Sequence, residues 1–135
     1  MVDLTKLKHG LKGSAQLLVG AEHTAPSIGS GKVPVLATPV MINVIEAAAL
    51  AAIEHLLPAG HQSLGIHLDV RHFAATPIGM RVTATAELTA VEGRTLSFRV
   101  EASDDKEPIG GGSHQRVVVN VARFDERVQR KLRNP

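Results

Sequence analysis

The chain has 135 residues, enough for one domain with its own core, and 44% of them are hydrophobic. It contains no cysteine, which excludes disulfides and thiolate chemistry. It also has no tyrosine or tryptophan beside its 3 phenylalanines, so it lacks the stacking platforms of a single-strand nucleic-acid binder. The formal net charge is only +2, and its basic residues gather in the C-terminal segment, where Arg123, Arg127, Arg130, Lys131 and Arg133 outnumber Asp125 and Glu126. That segment reads as a solvated helix with a thin stripe of Phe124, Val128 and Leu132, and no nucleic-acid partner is expected. With no apolar N-terminal run, and an apolar run from Ala47 to Ile53 well short of the ~20 residues that cross a bilayer, the expectation is a single cytoplasmic domain spanning residues 1–135, with no membrane partner.

In chain order, residues 1–12 show little pattern and read as a loosely held lead-in. From Gly13 to His23, Ala15, Leu17, Val19 and Ala21 alternate with polar residues, as a strand does. Residues 25–34 form a Pro- and Gly-bearing loop just before the most apolar stretch of the chain, residues 35–57. Here Val40, Met41, Ile42, Val44, Ile45, Leu50, Ile53, Leu56 and Leu57 lie among alanines on nearly every face, which predicts a helix over 39–57 that needs covering on most sides. Thr38 is a good N-cap, Pro39 a favoured first residue, and Pro58 with Gly60 a stop.

Four strands follow. Leu64, Ile66, Leu68 and Val70 alternate with Gly65, His67, Asp69 and Arg71, and with no bulge His72 continues the apolar row and points toward the helix. Thr76 to Gly79 fit a type I turn. Met80, Val82, Ala84, Ala86, Leu88 and Ala90 form a second apolar row, a hairpin is expected at Glu92 and Gly93, and Leu96, Phe98, Val100 and Ala102 form a third. After a polar loop over residues 104–108, Gly110–Gly112 lead into a last strand in which His114 and Arg116 share a face. The pattern is α+β: an antiparallel sheet of about five strands curled round one long helix. Its open edges and the free helix flank predict a homodimer.

Glu46 stands out chemically. A carboxylate in the middle of an apolar helix must be paired or hydrogen-bonded to stay ionised, a usual setting for an acid or base. His72, on the facing row, is its candidate partner, with a buried structural pair as the alternative. Thr38 and Glu46 lie about 12 Å apart along a regular helix, too far to touch, whereas Asn43, one turn before Glu46, is placed to bond the carboxylate or a ligand. His67 and Asp69 fall on the opposite strand face from His72, so no metal site is expected. No Ser-centred nucleophile elbow is present, and the glycine run fits no phosphate-binding fingerprint.

The order of these elements resembles the hotdog fold. More specifically, VLATPVMINVIEAA at 35–48, SLG at 63–65, RHFAATPIG at 71–79, VTATAELTAVEGRTLSFRV at 82–100 and IGGGSHQRVVV at 109–119 are similar to the fluoroacetyl-CoA thioesterase-like family. The resemblance implies that Thr38, Glu46 and His72 are catalytic, that the Gly65 N–H meets the thioester carbonyl, and that Arg116 is a site arginine. It further implies an acyl-CoA substrate, no metal or redox cofactor, and a homodimer with its site near the interface. Other hotdog chemistries leave two alternatives, an acyl-CoA hydratase or dehydratase and a non-catalytic acyl-CoA-binding dimer. One departure stands out: the fluoroacetyl-selective enzyme carries aromatic residues in the lid, where this chain has Ile28, Gly29, Ser30, Gly31, Lys32 and Val33. Another short or hydrophobic acyl group is therefore as reasonable a substrate.

Overall fold

The computed structural model describes residues 2–133. Its elements are β1 (Lys12–Leu18), α1 (Ala25–Ile28), α2 (Thr38–Ile53), β2 (His61–His72), β3 (Arg81–Glu92), β4 (Thr95–Ser103), β5 (Pro108–Asn120) and α3 (Val121–Arg133). The five strands form one antiparallel sheet in the order β1-β3-β4-β5-β2. This is the α+β architecture that the alternating rows require: each strand has one apolar face, and α2 is the apolar object that covers it.

Met41, Val44, Ile45, Ala48, Ala49, Ala52 and Ile53 of α2 are buried. Against them pack Val82, Ala84, Ala86 and Leu88 of β3 with Leu96, Phe98, Val100 and Ala102 of β4. Where α2 crosses β1 the backbones nearly touch. A Cβ on Gly13 would lie 2.3 Å from both the Ala48 carbonyl oxygen and the Ala52 nitrogen, so the alanine face and this glycine together set how closely the sheet wraps the helix. The segment Thr38–Leu56 has a mean hydropathy of 1.4 and is long enough to cross a membrane by composition alone, but here it is the core helix under the sheet.

Several local expectations are corrected. The lead-in over residues 2–12 is docked rather than loose, because Leu7 is buried in the core and the Gly10 N–H donates to the Leu88 carbonyl at 2.8 Å; Met1 lies outside the described residues. Thr38 is the first helical residue of α2 and makes no capping bond; the N-cap is Ala37. The α-helix also ends at Ile53 and tightens into a 3-10 turn over Glu54–Leu56, short of the expected residue 57. β1 ends at Leu18, and residues 21–23 turn as a 3-10 helix. The turn near Pro77 is shifted by one residue: the Met80 N–H reaches the Pro77 carbonyl at 3.4 Å, and Gly79, at φ +97°, takes the third position. The β3–β4 hairpin turns on Gly93 and Arg94, since Glu92 pairs with Thr95. With positive φ at Gly93 and none at Arg94, it is a type II′ turn.

The correction with most consequence lies in β2. Gly65 pairs with Arg116 and His67 with Gln115, leaving Ile66 as a bulge. Residues paired across a ladder share a face, so Ser63 and Gly65 lie on the helix side before the bulge, and Leu68, Val70 and His72 lie there after it. Leu64 falls on the opposite side, so the single apolar row read from residue 64 to 70 is broken. A similar irregularity in β3 turns Ala90 outward with Ser97 and places Val91 opposite Leu96. β2 is also an edge strand whose Leu64, Ile66 and Leu68 are exposed.

Candidate active site

Two clusters of polar side chains lie on the helix side of the sheet, one at each end of the bulged strand. At the far end, the Thr38 hydroxyl and His72 Nδ1 are 2.7 Å apart, joining the first residue of α2 to the last of β2. His72 Nε2 is buried without a hydrogen-bond partner among the described residues. Burial lowers the His72 pKa below its ordinary 6.5, with the Ala74 backbone opposing, so the imidazole favours its neutral form. A cleft of about 330 Å³ opens beside this pair, lined by Lys32, Val33, Thr38, His72, Phe73 and Ala74 among others. A larger cleft of about 510 Å³ lies over Gly110–Gly112 beside Arg99 and holds none of the catalytic candidates.

The second cluster surrounds Glu46, whose side chain is 34% exposed. Arg116 Nη1 donates to Glu46 Oε2 at 3.3 Å, and the guanidinium itself is buried. Arg116 also donates from Nε to Ser63 Oγ at 2.8 Å, from Nη2 to the Ser63 carbonyl at 3.1 Å, and from Nη1 to His114 Nε2 at 3.1 Å. Ser63 is tied back in turn: its N–H and its hydroxyl donate to the two oxygens of Glu54, at 2.8 and 3.1 Å. Gly65 leaves space for the carboxylate, because a Cβ there would lie 2.6 Å from Glu46 Oε2. The bulge makes this possible by placing Gly65 and His72 on one face of β2, where unbroken alternation would separate them.

The structure thus brings Glu46 together with Gly65 and Arg116, and Thr38 together with His72. It does not bring Glu46 to His72 within one chain. Glu46 lies eight positions after Thr38 in regular helix, about 12 Å along the axis. Asn43 is exposed, and the carboxylate's partner is Arg116 instead. Sequence reading gave no role to Ser63, Glu54 or His114. The shared face of His114 and Arg116 was the available signal; nothing marked Glu54, because the switch to 3-10 geometry after Ile53 decides where it points.

The half-buried His72 and the buried His114 are both expected to make stability depend on pH. Burial, the largest cause, also lowers the His114 pKa below 6.5. A histidine depressed in the fold contributes stability that is fully present above its ordinary pKa and is lost as pH falls below it. The melting temperature is therefore expected to drop as pH falls from about 7 to 5, above the range where carboxylates titrate. A flat or rising melting temperature over that interval, followed by calorimetry, would contradict the two assignments.

A curled antiparallel sheet round one helix, with a carboxylate at mid-helix facing a glycine on a bulged strand, is a hotdog architecture with an acidic site, and the comparisons with known proteins supply its class. The model of the fluoroacetyl-CoA-specific thioesterase family matches residues 19–122, and the chain belongs to that family. The fluoroacetyl-CoA thioesterase of Streptantibioticus cattleyicolor is 45% identical over 97 residues, covering 72% of this chain and 70% of the relative. A solved structure of the fluoroacetyl-CoA thioesterase FlK superposes with a TM-score of 0.88 at 36% identity, covering 93% of this chain and 97% of that one. A hypothetical protein of Thermus thermophilus, described as a thioesterase superfamily member, superposes with a TM-score of 0.84 at 30% identity, over 93% of each chain. The protein is accordingly an acyl-CoA thioesterase of hotdog fold.

Proposed function

We propose that the protein hydrolyses a short or hydrophobic acyl-CoA thioester to the free acid and CoA, at a site completed by two subunits of a cytoplasmic homodimer. The observation that carries this reading is the separation of two half-sites on one chain: Glu46 with Gly65 and Arg116, and Thr38 with His72. The exposed β2 edge with Leu64, Ile66 and Leu68 offers the pairing surface that would set Glu46 of one chain opposite His72 of the partner subunit.

In this reading Glu46 attacks the thioester carbonyl or activates a water, and the Gly65 N–H stabilises the developing oxyanion, typically by ~3 kcal/mol. Cleavage of the C–S bond releases the CoA thiolate. The proton it takes up is the one surrendered by the attacking water, relayed through His72, which is neutral at rest. On the nucleophilic route that water hydrolyses the acyl–Glu46 anhydride to the free acid. Thr38 fixes the ring of His72, and Arg116 holds the carboxylate; neither a metal nor a redox cofactor takes part. One observation favours a second assignment, in which Thr38 is the nucleophile: its hydroxyl lies 2.7 Å from His72 Nδ1, the contact a base needs to activate it. A transient acyl mass on Thr38, absent from Thr38→Val, would select that route.

Free-thiol release from a panel of short, halogenated, medium-chain and aromatic acyl-CoAs tests the activity and names the acyl class. The lid of this chain, with Ser30, Gly31, Lys32 and Val33, is the reason the panel extends beyond fluoroacetyl-CoA. Release from no substrate would overturn the hydrolase reading; a new double-bond absorbance without thiol would point to hydration chemistry, and thermal stabilisation alone to a binding role. The shared site has its own test. Glu46→Gln and His72→Ala are expected to be inactive separately and to regain activity when unfolded and refolded together, since a mixed dimer then contains one intact site. No recovery from verified mixed dimers would place both residues in one subunit's site.

A further inference from the structure

We propose that His114 is a positioning residue for the reaction: as a neutral acceptor it fixes the Arg116 guanidinium against Glu46. This inference rests on the reading of Glu46 as the reacting carboxylate. His114 is fully buried in β5, stacked on Phe98 of β4 with ring centroids 6.1 Å apart and an interplanar angle of 28°. Its two ring nitrogens have different partners. Nδ1 lies 2.8 Å from the His67 carbonyl oxygen, which can only accept, so Nδ1 carries the proton. Nε2 lies 3.1 Å from Arg116 Nη1, which can only donate, so Nε2 presents its lone pair. Both contacts are satisfied together only by the neutral Nδ1–H tautomer.

The same Nη1 donates to Glu46 Oε2, so its two N–H groups are divided between His114 and the carboxylate. With Nε and Nη2 held by Ser63, the guanidinium is gripped on three sides and aimed at the fourth. The grip is strand-borne: the Phe98 stack fixes the imidazole, and the His67 carbonyl belongs to the residue that follows the bulge. The bulge that brings Gly65 to Glu46 therefore also supplies the acceptor that sets the His114 tautomer. The charged and titratable groups that act on the ring are Arg116 on its own strand, Glu46 from α2 and, from the opposite face of β2, His67. A proton added at Nε2 would point at Arg116 and break the contact.

Two variants separate positioning from packing. His114→Phe keeps the ring and its stack but removes the acceptor, and is expected to lower kcat about tenfold or more with little change in KM. His114→Gln places an oxygen where Nε2 was and is expected to recover much of that loss. Both are assayed below their melting temperatures by thiol release, beside wild type and Glu46→Gln. Wild-type kcat in His114→Phe, or equal loss in both His114 variants, overturns the inference while leaving the thioesterase reading intact. If wild type releases no thiol from any substrate, the functional reading fails, and a second measurement decides the placement. Nitrogen-15 NMR of the full chain is expected to show Nδ1 protonated and Nε2 bare near pH 7; an Nε2–H tautomer or an imidazolium there overturns the proposal.

Discussion

Replacing Glu46 by Gln is expected to lower kcat by a factor of about 10² to 10⁴ while the protein folds normally. The amide keeps the length of the side chain and an oxygen that accepts from Arg116 Nη1, so the contact at 3.3 Å survives in neutral form. It cannot act as nucleophile or take a proton from water, so the chemical step loses its driving group. At 34% exposure the side chain is also wet enough that the change leaves no uncompensated buried charge on its own side. Arg116 does keep its charge, and its bonds to Ser63 and His114 hold it in place. Circular dichroism and a melting curve close to wild type, together with the fall in thiol release, are the expected pair of observations. Near-normal turnover would sink the assignment of Glu46.

Gly13→Val is expected to damage the fold severely, with a loss of about 3 kcal/mol or more. Any Cβ at this position would lie 2.3 Å from the Ala48 carbonyl oxygen and the Ala52 nitrogen, and 2.8 Å from the Ala51 carbonyl carbon. These are backbone atoms of α2, which cannot rotate away as a flexible side chain does. Relief requires β1 to lift from the helix, opening the core at Ala48, Ala49 and Ala52, or the helix to move and carry Glu46 with it. For a domain of this size the predicted fall in melting temperature is about 10 °C or more. Gly13→Ala should show a smaller loss in the same direction. A Gly13→Val protein that melts like wild type would mean that the helix does not approach the sheet this closely.

The helix, the strand rows and the residue types of the site were legible in the sequence because each is a local pattern. Apolar alternation in β3 and β4 gives two residues per repeat, and a run of apolar residues and alanines from 40 to 53 gives a helix that must be enclosed; neither depends on what lies across the sheet. Together they dictate one curled sheet over one helix, and they single out Glu46 as a carboxylate in need of a partner. What the sequence could not supply was the identity of that partner. Arg116 is 70 positions away, and its approach to Glu46 depends on the β2–β5 register. The bulge at Ile66 is equally invisible, because no residue type enforces it, yet it decides that Gly65 and His72 face the helix together and that Leu64 does not. The role of Thr38 changed for the same reason: a threonine before a proline reads as a helix cap, and only the arrival of the end of β2 gives its hydroxyl to His72. Local periodicity thus determined the elements and the chemical inventory of this protein, whereas the ladder register and the close crossing at Gly13, which arise from contacts between distant segments, decided which of those groups can act on one another.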